Sequence, residues 1–133
     1  MIIRNIYSEL EPPLEKFEDE RGLILDIFYK KSIDHVALIK TKKDLIRGNH
    51  YHKDTTQYTL ILEGSLEYWE KDLKSENLKS KICHQGDLIT SEPNIIHAFK
   101  FLTYNEMLVF TRGPRGGLDY EMDTFRVNNI IPI

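Results

Sequence analysis

The feature that most constrains this chain is its rhythm. From Gly22 onward, short runs of Ile, Leu, Val, Tyr, Phe and Thr return at intervals of roughly 8–12 residues, with turn-forming residues between them. That spacing belongs to sandwiches and barrels of antiparallel strands. Helical periodicity is weak throughout, so the reading is all-β. Strands are predicted over residues 23–29, 36–41, 45–52, 57–62, 66–71, 79–84, 87–91, 97–102 and 107–112. Glu63-Gly64-Ser65 reads as a tight hairpin, His84-Gln85-Gly86-Asp87 as a turn, and the run from Arg112 to Gly117 as a loop closing the sheet region.

No internal repeat, low-complexity tract or Pro/Gly/Ser linker divides the 133 residues, so one domain is expected. Residues 22–133 form the barrel. Residues 1–21, with Pro12-Pro13 and dense acids, form an N-terminal arm or edge segment. A chain of this length hides roughly two-thirds of its unfolded surface and needs no disulfide staples. Cys83 is the single cysteine, which excludes an intrachain disulfide and suggests a reducing compartment, with cytoplasm as the expected location. Glu9, Glu11 and Glu15 argue against a signal or transit peptide. The longest apolar run falls far short of the ~20 residues that span a bilayer. With 18 basic and 21 acidic side chains mixed along the chain, no basic stripe exists to attract nucleic acid.

Residues 57–62 carry apolar side chains on both strand faces: Gln57, Thr59 and Ile61 on one, Tyr58, Leu60 and Leu62 on the other. A second sheet or a second subunit is therefore expected over the outer face, and a homodimer follows. The alternating charges from Glu70 to Lys81 read as a solvated hairpin tip. Cys83 reads as a small buried hydrophobe, His35 and His84 as solvent-facing, and Tyr51, Tyr58, Tyr68 and Trp69 as core or interface aromatics.

Three histidines stand apart from the rest. His50 and His52 are two residues apart on a predicted strand, so both imidazoles point to one face, with backbones about 7 Å apart. Gln57 follows a Lys53-Asp54-Thr55-Thr56 bend that can return its amide to that face. His97 opens a later strand on which it shares a side with Phe99 and Phe101.

These residues carry a resemblance. Gly48-Asn49-His50-Tyr51-His52, then Gln57, then Gly64, resembles the first motif of the cupin superfamily, and Gly86-Asp87, Pro93 and His97 resemble the second. Together they run from Arg47 to Phe101. The resemblance implies an all-β, single-domain cupin, an antiparallel jelly-roll barrel, with an inward site built from His50, His52, Gln57 and His97. Gln57 stands where metal-binding cupins usually have Glu. Arg47-Gly48-Asn49-His50-Tyr51-His52-Lys53 is also similar to a stretch of nucleotide-sugar 3,4-ketoisomerases and of deoxythymidine-diphosphate-sugar 3,5-epimerases. The metal-binding cupin domain of some capsular polysaccharide enzymes is similar too. In the epimerases the matching histidine removes a proton beside a ketone and the arginine sits by the substrate, which carries those roles to His50 and Arg47.

The chemistry suits these side chains. A proton α to a sugar ketone needs a base titrating near neutrality, and unperturbed imidazole does so at about 6.5. A diphosphate tail needs forked donors, for which Arg47 and Arg112 are candidates. His50 or His52 is the candidate base, and Tyr120 a candidate general acid in a segment that otherwise reads as a closing turn and edge strand. Three imidazoles, with or without Gln57, can alternatively hold one divalent Zn, Ni, Fe or Cu ion for Lewis-acid or oxygen chemistry, or for sensing a small ligand. A catalytically silent assembly domain is the third possibility. An imidazole nitrogen bound to a metal cannot accept a substrate proton, so His50 serves as ligand or as base, not both at once.

Overall fold

The computed structural model describes residues 1–114 and 117–132, leaving aside the side chains of Gly117, Asp119 and Tyr120. The elements run β1 (Ile2–Asn5), β2 (Lys16–Asp19), β3 (Gly22–Leu25), β4 (His35–Thr41), β5 (Ile46–Tyr51), β6 (Thr56–Glu63), β7 (Ser65–Asp72), β8 (Leu78–His84), β9 (Asp87–Ser91), β10 (Ile95–Phe101), β11 (Asn105–Arg112), α1 (Gly117–Met122) and β12 (Phe125–Arg126). One sheet has the order β1-β9-β6-β11-β4, the other β12-β5-β10-β7-β8, and β2 pairs with β3 as a separate ribbon. Every pairing is antiparallel. This is the jelly-roll barrel expected from the strand rhythm. All nine predicted strands are present.

The core fills the space between the two sheets. Leu66, Tyr68, Phe99 and Phe101 from one sheet meet Ile61, Ile89, Met107 and Val109 from the other. Each fully buried side chain of this size contributes about 1.5–3 kcal/mol relative to exposure. Cys83 belongs to the same cluster and is fully buried, as read from the sequence. Burial pushes its thiol pKa up to about 12.

The outer face of β6 is covered by the chain itself. Tyr58 and Leu60 pack with Ile6 and Leu88 under Ile27 and Phe28, and the Phe28 ring meets Tyr58 at 5.2 Å and Phe110 at 4.9 Å. Neither a second sheet nor a partner is needed there. The strand expected over 23–29 ends at Leu25, because the residues beyond it leave the β2–β3 ribbon to seal this face.

Three other local expectations change. The segment near Tyr120 forms a short helix before the β12 edge strand. His35 is half-buried on a β4 whose burial alternates residue by residue, while His84 is exposed. Glu70 is buried, because β7 alternates and turns Leu66, Tyr68 and Glu70 inward, while Lys71 to Lys81 remain half-buried or exposed.

Candidate functional site

The site begins with an irregularity in β5. His50 pairs with His97, yet the next partner pair is Gly48 with Ala98 and then Arg47 with Phe99, so Asn49 is an extra residue in the strand. Gly48 and Asn49 have φ of 92° and 58°. This is a β-bulge, and it changes the alternation. Residues three apart on a regular strand face opposite ways; across the bulge, Arg47 lies beside inward Phe99 and His50 beside inward His97. Both therefore face the lumen. Glycine is required at 48, since a Cβ there would lie 2.7 Å from the His97 carbonyl oxygen. Asn49 tolerates the left-handed conformation. Its Oδ1 accepts from the Ile130 amide at 3.0 Å, and its Nδ2 donates to Asn129 Oδ1 at 3.2 Å.

The three expected histidines meet at one end of the barrel. Ring centroids are 4.9 Å apart for His50 and His52, 4.8 Å for His50 and His97, and 5.4 Å for His52 and His97. Their candidate donor atoms lie within 4.8 Å of one another. His97 is fully buried and His52 nearly so, whereas His50 is partly exposed. His52 Nδ1 lies 2.7 Å from the Asp123 carbonyl oxygen and His97 Nδ1 lies 3.2 Å from that of Ile95. A carbonyl only accepts, so in the neutral rings Nδ1 carries the proton and Nε2 the lone pair.

A cavity of about 360 Å³ opens against His50, within the range of small-molecule sites. Arg47, Gln57, Phe99, Met107 and Arg126 also line it. Arg47 is held at its base by Nε donating to Thr41 Oγ1 at 2.7 Å. Gln57 is buried and its Nε2 donates to Thr59 Oγ1 at 3.2 Å, so coordination by this residue would have to come from Oε1. A larger hollow of about 520 Å³ lies outside the barrel, between Arg4, Phe28, Tyr58 and Glu92. It holds none of the three histidines, whereas the smaller one is lined by His50.

One expected residue is placed away from the cavity. Arg112 ends β11 with an exposed side chain, because the inward position there belongs to Thr111, and it does not line the cavity. The side chain of Tyr120 lies outside the described residues. The arginine that does join Arg47 is Arg126, directly opposite His50 in the β12–β5 pairing. A basic residue near the end of the chain gave no sign of this, since β12 is only two residues long.

Two carboxylates were also missed. Asp123 is buried; its carboxylate accepts from the amides of Lys53 at 2.8 Å and Asp54 at 3.0 Å, and from Thr55 Oγ1 at 2.7 Å. Burial raises its pKa, but these three hydrogen bonds and the neighbouring His52 outweigh burial and hold it below the ordinary value of 3.8. Glu70 lies opposite His97 in the β10–β7 pairing. Tyr68 Oη donates to Glu70 Oε2 at 3.2 Å and lies 2.9 Å from Ser91 Oγ. Burial, opposed by Ser91 and reinforced by the Glu70 charge, raises the phenol well above its usual range. The in-phase order Leu66, Tyr68, Glu70 was the signal for Glu70.

No family model and no curated protein matches this sequence. Solved structures do. A 3,4-ketoisomerase from Helicobacter canadensis superposes with a TM-score of 0.74 at 23% identity, over 95% of this chain and 90% of that one. A histidine variant of the 3,4-ketoisomerase QdtA from Thermoanaerobacterium thermosaccharolyticum, in complex with TDP-4-keto-6-deoxyglucose, gives 0.70 at 21%, over 86% and 83%. The dTDP-4-dehydrorhamnose 3,5-epimerase from Sulfolobus tokodaii gives 0.68 at 16%, over 93% and 81%. With two packed antiparallel sheets and the histidine cluster at one end of the lumen, this chain has the cupin fold, in the form also taken by those sugar-nucleotide isomerases and epimerases.

Proposed function

We propose that this protein is an isomerase or epimerase of a nucleotide-linked keto-sugar, with His50 as the base. The observation that carries the reading is the bulge at Gly48 and Asn49, which sets a partly exposed imidazole and the Arg47 guanidinium side by side in one cavity. The named activities of the structural neighbours support the same substrate class.

In a ketoisomerisation, His50 takes the proton from the carbon beside the ketone while the ketone oxygen gains one, giving an enediol. Returning a proton to the former carbonyl carbon, with loss of the neighbouring hydroxyl proton, completes the shift without oxidant or reductant. In an epimerisation the proton returns to its original carbon from the other face and needs a second donor. His52 and His97, with Nδ1 directed at backbone carbonyls, hold the wall behind His50 and keep their rings in fixed orientation. Arg47 suits the anionic tail of the substrate.

Deuterium uptake tests the reading. Wild type incubated with TDP-4-keto-6-deoxyglucose in heavy water is expected to label the sugar next to its ketone, and His50→Asn is expected to lose that labelling while retaining its fold. A wild type that neither labels the sugar nor binds TDP rejects it.

The histidine cluster favours a second reading. Nitrogen ligands sit about 2.0–2.1 Å from a zinc ion, so donors within 4.8 Å of one another reach a shared ion with a small closure of the rings. His50, His52 and His97 fit Zn, Ni, Fe or Cu, and such an ion would polarise a ketone or activate oxygen. Elemental analysis of untagged protein beside the His50→Ala/His52→Ala variant separates the two. Near-stoichiometric metal lost in the variant makes the histidines ligands.

We also retain a homodimer in the proposal. The β2–β3 ribbon pairs with neither sheet and exposes Phe17, Leu23 and Ile24, and β4 exposes Val36 and Leu38 at its sheet's edge. A lone two-stranded ribbon is marginal in water, and a second copy is the simplest cover for it.

A further inference from the structure

The Arg126 side chain has an occupant already. Both terminal nitrogens meet the Glu121 carboxylate, Nη1 to Oε2 at 3.1 Å and Nη2 to Oε1 at 3.0 Å. This is the forked geometry that guanidinium offers to carboxylates and phosphates alike. Both side chains are more than half exposed, and an exposed pair of this kind is easily opened.

Its position gives the pair a meaning beyond surface charge. Arg126 shares the lumen-side face with His50 and lines the same cavity as Arg47. Glu121 is close enough to His50 for that ring to lower its pKa, after the larger effect of Arg126 itself. The carboxylate thus stands on the cavity-lining Arg126, holding the fork that an anionic ligand would use. It is carried by α1, two residues before the chain is fastened down by the buried Asp123 carboxylate.

We propose that Arg126 is the second anion-binding group of the site, acting with Arg47 on the diphosphate of a nucleotide-linked ligand, and that Glu121 is a built-in competitor which the diphosphate displaces. This rests on the sugar-nucleotide reading above and adds to it a gate. An incoming ligand must offer Arg126 two oxygens at least as good as those of Glu121. A diphosphate, with its greater charge, does so; an unphosphorylated sugar or nucleoside does not. The pair therefore adds affinity for ligands that carry a diphosphate and none for neutral ones.

Calorimetric titration of the full chain with TDP, inorganic pyrophosphate and thymidine tests it. Arg126→Ala is expected to weaken TDP and pyrophosphate by about tenfold or more while leaving thymidine unchanged. Arg126→Lys, which keeps the charge but not the fork, is expected to fall between and serves if the alanine variant does not fold. Glu121→Gln is expected to tighten TDP by about threefold to tenfold, since it removes the competing charge. Wild type that binds TDP with Arg126→Lys and Glu121→Gln unchanged overturns the gate and leaves the sugar-nucleotide reading standing. Wild type that binds pyrophosphate but not TDP, with the variants shifted as described, supports the anion site and removes the nucleotide. Binding of neither anion overturns both.

Discussion

His52 Nδ1 lies 2.7 Å from the backbone carbonyl of Asp123, 71 residues further along the chain. The same aspartate uses its side chain to hold the Lys53 and Asp54 amides and the Thr55 hydroxyl. One buried residue thus orients an imidazole and fixes the bend that follows it.

Asp123→Ala is expected to lose about 2–4 kcal/mol of stability, because several hydrogen bonds to a charged acceptor are removed together. The folded pKa lies below the ordinary 3.8, so this contribution is present above about pH 4 and fades as pH falls through the lower folded value. Urea melts should show wild type and Asp123→Asn differing at neutral pH and converging in acid. A gap that stays constant down to the acid limit would contradict the assignment.

Gly48→Ala should be severe. The new Cβ meets the His97 carbonyl oxygen at 2.7 Å, on a residue with φ of 92°, for a loss of at least about 2 kcal/mol. Gly22→Ala is the control: its φ is 133°, but nothing lies within 4 Å of the added atom. Thermal melting of the two variants should place Gly48→Ala well below Gly22→Ala.

Among the histidines, loss of function and loss of stability should part company. His50→Asn is expected to reduce turnover by about 10²–10⁴-fold with a near-native melting temperature. His97→Ala removes a fully buried ring and should lower the melting temperature as well. Equal melting losses in both variants would count against His50 as the exposed working base.

The Cys83 thiol should be inert in the native protein. Its pKa is pushed up to about 12 by burial, and the thiolate is the reactive form. Ellman's reagent at mildly alkaline pH should register no thiol until denaturant is added, and one thereafter. Rapid reaction of the folded chain would show that β8 opens readily.

Ile24→Lys should convert a dimer to a monomer in analytical ultracentrifugation. Ile24 is among the most exposed apolar residues, on a ribbon that pairs with neither sheet. A wild type that sediments as a monomer would remove the dimer.

The strands were legible because alternation and turn residues are local properties, and of the nine predicted strands only the first, over 23–29, falls outside the two barrel sheets, in the β2–β3 ribbon. The short edge strands β1 and β12 were legible only as edge segments without bounds, since two to four residues carry too little pattern and gain their place only by pairing. The three histidines converged as read. Arg126 and Asp123 were hidden because their roles come from a tail that returns across the barrel to β5 and the bend behind it. Arg112 misled for a related reason: one step along a strand reverses the face. The apolar outer face of β6 was read correctly as covered, but not by what, because Ile27 and Phe28 reach it through a loop.

The bond between Asn49 Oδ1 and the Ile130 amide, with that from the Val127 amide to the Asn49 carbonyl, has a consequence in time. A ribosome delivers β5 long before it delivers residues 123–130. The sheets can close once β11 has emerged, with all three imidazoles already in the lumen. Until residues 123–130 arrive, however, His52 lacks the carbonyl that orients it and the bulge lacks its outer clasp. A nascent barrel can therefore be folded and still have an unfinished histidine cluster, completed only when residues 123–130 have been made.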